Sequence, residues 1–403
     1  MLRLMLTNAF GILSKLGEFQ ASLNAHNPDI VIVTETKITE DKATPADLTF
    51  PGYFPPVRRD RTAQGGGVAI WIRADLAFTE LECIDTGGNE ILWVRLKTAA
   101  GPSIGVCAVY RSGSSAYGDI SALNSISSGI DEARQCCQNI IVAGDLNVHN
   151  REWLGSSRTS PAGEAAEDLC YHHCLDQHVH EPTRGNNILD LIMSDIPGSV
   201  ISTLHPPLGK SDHAVVVTDF EVAPSCDRPS KRTVWRYQHA DWPRLRAFFR
   251  STNWVLTDDN SIDVSCVKLE QKIKEGMQIF IPSKTLKLRQ GDPAWWSPEC
   301  QEAVDRKQRA WRHHRSSPNN AHLRLAYSMA TGEATNCLHR AKQAHTTSIR
   351  RKIREGALSS RQWWTTVKRA GGQGHRSADI PVLRASNGTE HTTCSEKAEA
   401  FGQ

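Results

Sequence analysis

Along the first 220 residues, short runs of consecutive apolar residues repeatedly end in polar ones. Leu4-Met5-Leu6 leads to Thr7-Asn8, Ile30-Val31-Ile32-Val33 to Thr34-Glu35-Thr36, and Ile104-Gly105-Val106-Cys107-Ala108-Val109 to Tyr110-Arg111. Ile140-Ile141-Val142-Ala143 is followed by Gly144-Asp145-Leu146-Asn147. Such runs, bounded by polar residues, predict strands covered on both faces. Gly144 is expected to let the backbone turn and bring Asp145 and Asn147 to the exposed strand end. Ile188-Leu189-Asp190-Leu191-Ile192 carries an acid inside an apolar run, and Ser211-Asp212-His213 precedes the strand Ala214-Val215-Val216-Val217.

Between these runs the period changes. Leu13, Leu16, Phe19 and Leu23 stand at helical spacing and predict a helix from Gly11 to Asn24. Further helices are expected from Asp119 to Arg134 and from Gly163 to His173, the last followed by a strand at His178 to Glu181. Leu92-Trp93-Val94-Arg95-Leu96 alternates with period two, as a half-buried strand would. Gly65-Gly66-Gly67 precedes the strand Val68 to Ile72; no Lys-Ser/Thr and no helix follow, so it reads as a turn and not as a phosphate cradle. Strands alternating with helices predict a layered α/β fold.

Past Phe220 the pattern becomes helical and basic. Pro224, Pro229 and the run Arg228 to Arg232 open a linker over residues 223–293. Ser297-Pro298 supplies a cap and a first-turn proline for a helix to about Arg315, and Ser317-Pro318 repeats the device for a second. That second helix carries the stripe Leu323, Ala326, Ala330, Ala334, Cys337, Leu338 and Ala341, with Arg340, Lys342, Arg350, Arg351, Lys352 and Arg354 beside it. Arg361 to Arg369, with Trp363-Trp364, is a third helical piece. Residues 294–372 are therefore expected to form a basic helical region, and 373–403 to begin a truncated downstream region. Basic helices with tryptophans suit nucleic acid, since cations meet phosphates and rings stack on bases; a helical hairpin with Trp in its core would read the same way.

Charge sharpens this division. Residues 1–220 hold 16 Lys and Arg against 26 Asp and Glu, a net −10, whereas the rest holds 31 against 18, a net +13. An acidic half that gathers divalent metal, joined to a basic half that tolerates phosphates, is expected of a nucleic-acid enzyme. No run is long and apolar enough to span a bilayer. The 11 cysteines are odd in number and scattered, as in an intracellular protein with reduced thiols. Cys170, Cys174 and the histidines from His172 to His180 superficially suggest zinc, but a helix followed by a strand would separate them.

Taken singly, each polar residue has an ordinary reading as a turn residue or a satisfied buried acid. In order, Asn8, Glu35, Tyr110, Asp145, Asn147, Asp190, Asp212 and His213 resemble the endonuclease/exonuclease/phosphatase superfamily over roughly residues 1–222. The resemblance implies an α+β fold, a four-layer α/β sandwich of two packed sheets flanked by helices, followed here by a mostly helical basic extension. It also implies a Mg²⁺-dependent phosphodiesterase, with Mn²⁺ as a substitute metal, that nicks DNA. In that reading Glu35 and Asp212 bind the metal, and Asn8 holds Asp145, which activates water. Asn147, Tyr110 and His213 contact the phosphate, and Asp190 pairs with His213. Arg111, Thr183, Arg350, Arg351, Lys352 and Arg354 are expected at nucleic acid. An abasic-site repair nuclease, a phosphatase of the same fold, or a catalytically idle binding fragment are the alternatives. The glycine turn, Val109-Tyr110-Arg111, Pro182-Thr183-Arg184 and the Trp-Trp helical stretch further resemble the front of jockey-type non-LTR retrotransposon polyproteins. These act in the nucleus on DNA, with element RNA as a second partner. Their reverse transcriptase would follow; no Tyr or Phe precedes x-Asp-Asp in this sequence. Residues 1–222 are expected to work alone.

Overall fold

The computed structural model describes residues 1–39, 41–44, 47–61, 65–98, 103–113, 119–223, 231–254, 262–287, 295–355 and 359–370, with short pieces at 383–384, 390–391 and 398–400. Most of the stretch expected to begin a downstream region, 373–403, lies outside the described residues.

Two six-stranded sheets form the first half. One joins β1 (Leu2–Asn8), β2 (Ile30–Thr34), β3 (Val57–Arg59), β4 (Val68–Ile72), β11 (Val200–His205) and β12 (Val215–Phe220), in the order β11-β12-β1-β2-β4-β3. The other joins β5 (Phe78–Glu80), β6 (Glu90–Leu96), β7 (Ile104–Tyr110), β8 (Asn139–Asp145), β9 (Asp176–Gln177) and β10 (Asp190–Ser194), in the order β5-β6-β7-β8-β10-β9. Each contains a central parallel pair, β1 with β2 and β7 with β8, among antiparallel neighbours. In the first sheet alternate residues take opposite faces, as the two-residue period requires. Leu4, Leu6, Ile30, Ile32 and Ile70 enter the core shared with the second sheet, while Met5, Val31, Val33 and Trp71 pack on Phe19 and Leu23 of helix α1 (Leu16–His26). The second sheet is covered by α2 (Ser121–Ala133) and, beyond the short α3 (Arg151–Leu154), by α4 (Pro161–His173). Four layers result: helix, sheet, sheet, helices.

The local differences from the sequence reading have physical reasons. The first helix starts at Leu16, after a 3-10 turn over Leu13–Lys15, and not at Gly11. Ala9, Gly11 and Ile12 donate their N–H groups to Thr34, Glu35 and Thr36, which prolongs the β1–β2 pairing beyond the strands, and Phe10 and Gly11 are left-handed. Helical hydrogen bonding cannot begin until these donors are passed. Strand β6 has Ile91 to Val94 all buried instead of alternating, because α2 closes its outer face; a Cβ at Gly129 of that helix would fall 2.8 Å from Trp93 Nε1. The strand expected at His178 to Glu181 is β9, two residues at Asp176–Gln177; the Gln177 side chain then bonds the backbone of Val179 and ends the ladder. Gly144 does not turn the chain. It lies inside β8, where a Cβ would sit 1.8 Å from the Val109 carbonyl oxygen, so only glycine permits this approach of β7.

Residues 228–289 make a separate compact unit: an antiparallel ribbon of β13 (Lys231–Trp235) and β14 (Ser283–Lys287) with α5 (Trp242–Ser251) and α6 (Ile262–Phe280). The stretch read as a linker is thus largely folded. Residues 290–403 group instead with residues 1–227. Here α7 (Pro298–Ser316), capped by Ser297, pairs with α8 (Ala321–Arg354), whose 34 residues extend about 51 Å at 1.5 Å per residue. Ser317-Pro318 does not open α8; Ser317 ends α7, and the Asn320 side chain caps α8 by accepting from His322 and Leu323. Leu338 and Trp295 lie over Gly17 of α1. A last helix, α9 (Ser360–Ala370), leaves Trp363 and Trp364 exposed.

Candidate active site

The strand ends of both sheets converge on one cluster. Asp145 ends β8, and the ladders place Tyr110 of β7 on one side of it and Asp190 of β10 on the other. From the other sheet come Asn8 at the end of β1, Glu35 just past β2, and His213 just before β12. Each of the three joining hydrogen bonds crosses between the sheets. Asn8 Nδ2 donates to Asp145 Oδ2 at 2.7 Å, the Tyr110 hydroxyl donates to Glu35 Oε1 at 2.9 Å, and His213 Nδ1 donates to Asp190 Oδ2 at 2.8 Å.

Burial makes these pairings necessary. Asp145 and Asp190 are both fully buried and His213 is 2% exposed. Two adjacent buried carboxylates cannot both ionise cheaply without an opposing charge. Burial first, and Asp190 second, push the Asp145 carboxyl up to about 7, although His213 and the Asn8 amide oppose the shift. For His213 burial works against charging the ring, but Asp190, Asp145 and Asp212 outweigh it and push the imidazole up to about 9. The ring is therefore cationic near neutral pH, with Nε2 4.0 Å from both Asp145 Oδ2 and Asp212 Oδ1. Burial, then the Glu35 carboxylate, raises Tyr110 and keeps its proton in place as a donor. Asp145, Asp190 and His213 have ligand atoms within 4.8 Å of one another, and all three are buried.

The carboxylate more open to a cation is Glu35. Its Oε1 takes hydrogen bonds from Tyr110 and, at 3.2 Å, from the same Asn8 nitrogen that serves Asp145; its Oε2 lies 3.4 Å from Lys37 Nζ. Glu35 and Lys37 are left-handed, and the glycine stretch holds them there: Thr36 and Lys37 donate to the Gly67 and Gly66 carbonyls. All three glycines of that stretch are left-handed too, and a Cβ on Gly67 would lie 2.3 Å from Thr36 Oγ1, which explains why no side chain stands there. The Glu35 carboxylate, a half-buried hard oxygen donor, is of the type that a hard divalent ion takes.

Other residues named from sequence fall differently. Asn147, left-handed, donates Nδ2 to the Arg111 carbonyl and its N–H to Asp145 Oδ1. Asp212 is half exposed at the rim and paired with Arg184 at 2.7 Å; among the described residues no contact joins it to Glu35. Arg111 and Thr183, expected at nucleic acid, are buried. The Arg111 guanidinium is spent on the carbonyls of Leu146, Asn147 and Asp119, and the Thr183 hydroxyl accepts from the N–H groups of Leu189 and Asp190. Both side chains are engaged within the protein, behind the cluster. Arg350, Arg351, Lys352 and Arg354 are exposed at the far end of α8. Cys170 contacts Met193 and His173 bonds Ser127, so the Cys/His stretch faces separate neighbours.

Sequence reasoning missed three contributors. Ser211 ties the His213 turn to β1 by donating to the Asn8 carbonyl at 2.7 Å. Arg184 pairs with Asp212, and Phe10, 58% exposed and left-handed, stands at the lip with Lys37 Nζ 3.2 Å from its ring centre. Ser211, inside Ser-Asp-His, and Arg184, inside Pro-Thr-Arg, stood in stretches already singled out; Phe10 carried no signal.

Residues 7–225 match the model of the Endonuclease/Exonuclease/phosphatase family. The chain belongs to this family. Enzymes of the three kinds in that description hydrolyse phosphoesters, chemistry that suits a buried acid beside an imidazolium. Among family relatives, the chain is 27% identical to the "Probable RNA-directed DNA polymerase from transposon BS" of Drosophila melanogaster, over 68% of its own length and 30% of the relative's. It is 22% identical to the "RNA-directed DNA polymerase from mobile element jockey" of Drosophila funebris, over 95% of its length and 41% of the relative's. The chain thus spans well under half of these curated relatives. Among solved structures, the endonuclease domain of TRAS1, a telomere-specific non-LTR retrotransposon, aligns at 19% identity with a TM-score of 0.43, covering 54% of this chain and 97% of that one. The Xenopus laevis APE2 catalytic domain aligns at 16% identity with a TM-score of 0.45, covering 57% and 94%.

Proposed function

We propose that this chain is a divalent-metal-dependent endonuclease that nicks DNA, the nuclease part of a jockey-type non-LTR retrotransposon protein acting in the nucleus. The observation that carries the reading is the Asn8–Asp145···His213–Asp190 chain: a buried carboxylate with raised proton affinity, aimed by an amide, beside an imidazolium held by a second carboxylate. A base whose pKa lies near the working pH is suited to take a proton from water and return it. Asp145 accepts that proton as the water oxygen bonds to phosphorus; one bridging P–O bond breaks, and its oxygen leaves with the electron pair and takes a proton from solvent. His213, fixed by Asp190, neutralises charge developing on the non-bridging oxygens. Asn147 and Tyr110 orient the phosphate and Glu35. Glu35, with Asp212, would hold Mg²⁺ or Mn²⁺, which would supply Lewis-acid neutralisation of the phosphate. At the rim, Phe10, Lys37 and Arg184 face the DNA, and the basic end of α8 adds attraction that salt weakens.

The test is nicking of supercoiled plasmid by the full chain. Relaxation with Mg²⁺ or Mn²⁺, its loss with chelator, and at least a 100-fold loss in His213→Ala are expected. Undiminished nicking by His213→Ala, or by wild type in excess chelator, would sink the reading.

A further inference from the structure

A buried ion pair away from the site joins the helical hairpin to the turn that presents Asp212 and His213. Lys307 of α7 is 5% exposed, and its Nζ donates to Glu18 Oε2 at 2.5 Å and to the Pro207 carbonyl at 2.7 Å. Glu18, buried on α1, also accepts from the Gly209 N–H at 2.8 Å and from Thr335 Oγ1 of α8 at 2.5 Å. Burial pushes the Glu18 carboxyl up, but Lys307, Thr335 and the Gly209 N–H together outweigh it and hold the group below its ordinary value. One carboxylate therefore collects α1, α7, α8 and the 207–209 turn.

That turn has little freedom left. Gly209 is left-handed, and a Cβ there would meet the Lys15 side chain at 3.1 Å. Two residues on, Ser211 fixes the other end: its hydroxyl donates to the Asn8 carbonyl and accepts from the His213 N–H at 3.3 Å. The segment from Pro207 to His213 is thus fastened by Glu18 and Lys307 at one end and by β1 at the other. A second tie reaches the neighbouring rim, where Arg315 of α7 pairs with Glu181 at 2.8 Å. Take the hairpin away and Glu18 keeps only the Gly209 N–H. Remove the Lys307 charge alone, and Glu18 stays covered by the hairpin without its cation, which is strongly unfavourable, so the turn would shift.

We propose that Lys307 is a positioning residue for the nuclease: through Glu18 and the Pro207 carbonyl, the α7–α8 hairpin sets the turn that carries Asp212 and His213. The hairpin is then a working part of the enzyme, contrary to the expectation that residues 1–222 suffice. The inference rests on the catalytic reading of His213 given above.

Removing one partner of a buried ion pair costs stability whether or not it positions the turn, so stability alone would not reveal positioning. The decisive measurement is single-turnover nicking by the full chain, comparing Lys307→Met, which keeps most of the aliphatic stem, with Glu18→Gln and Thr335→Val. DNA affinity and circular dichroism are followed in parallel. The expected result for Lys307→Met is about a 10-fold lower rate at saturating DNA, with DNA affinity within 2-fold of wild type and the fold retained. Thr335→Val, which removes one donor and leaves the ion pair, should lose about 2- to 3-fold, and it carries the test if Lys307→Met does not fold. Wild-type saturating rates in the folded variants, with His213→Ala inactive alongside, would overturn the positioning role and leave the nuclease intact. An active His213→Ala would mean that the nuclease reading itself has failed.

Discussion

In the sheet ordered β11-β12-β1-β2-β4-β3, the functional strand ends carry an amide, a partly open carboxylate and an imidazole. In the sheet ordered β5-β6-β7-β8-β10-β9, they carry two fully buried carboxylates and a phenol. Both sheets reach this point by the same device, a central parallel pair with apolar residues on both faces. Their chemistry is complementary. The second sheet alone would place Asp145 beside Asp190 with nothing to offset them; the first supplies Asn8 to one and His213 to the other. The apolar core drives the sheets together without specifying which atoms meet, and the three crossing hydrogen bonds supply that specification.

If the sheets divide the work in this way, damage on the two sides should differ in kind. Asp145→Asn should lose about 1,000-fold in single-turnover nicking, within the usual span for removing a general base. Its partner change, Asn8→Ala, leaves the base in place and should cost only about 10- to 100-fold. Equal losses would mean that Asn8 does more than aim Asp145. A smaller effect tests the second crossing pair. Tyr110→Phe removes a donor to a carboxylate, a bond worth about 1.5 kcal/mol, and nicking should fall roughly 10-fold. An unchanged rate would mean that the phenol does not serve Glu35.

A last test concerns stability and not rate, at the seam where the hairpin meets the first sheet. His26 and His205 lie there with ring centres 4.1 Å apart, lining a cavity with Glu18, Lys307 and Ala334. Burial, reinforced by His205 and Arg3, pushes His26 down to about 3. The folded ring stays neutral while the unfolded one protonates near 6.5, so stability present above that pH is lost as pH falls toward 3. The slope should reach at most about 1.4 kcal/mol per pH unit. Urea midpoints between pH 7 and pH 5 measure it, and His26→Gln should flatten the trend; an equal slope in that variant would remove His26 from the account.

How much of this could be read from the chain depended on distance along it. Ile140 to Asn147 announced a buried strand with a polar end because both features are local, and the same logic found Asn8, Glu35, Tyr110, Asp190 and His213. Arg111 and Thr183 looked like surface contacts because nothing local reveals that Asp119, Leu189 and Asp190 would claim their polar groups. Lys307 was invisible among the other basic residues of its helix, since its partner Glu18 lies 289 residues away. Gly144 was noticed for the wrong reason: its value lies in the neighbouring strand, not in its own backbone angles. The start of α1 was misjudged because the donors of Ala9, Gly11 and Ile12 are claimed by Thr34, Glu35 and Thr36 at the end of β2 and just past it.

The crossing pairs also impose an order in time. Strands β1 to β4 belong to the first sheet, β5 to β10 to the second, and β11 and β12 return to the first. A chain leaving the ribosome therefore acquires Asp145 and Asp190 well before His213, and β12 can dock on β1 only after the second sheet has been made. Throughout that interval the two acids lack their cation, and the growing chain has no competent centre with which to cut. Competence should arrive late, after β12 has closed against β1 and the α7–α8 hairpin has seated the turn that carries His213.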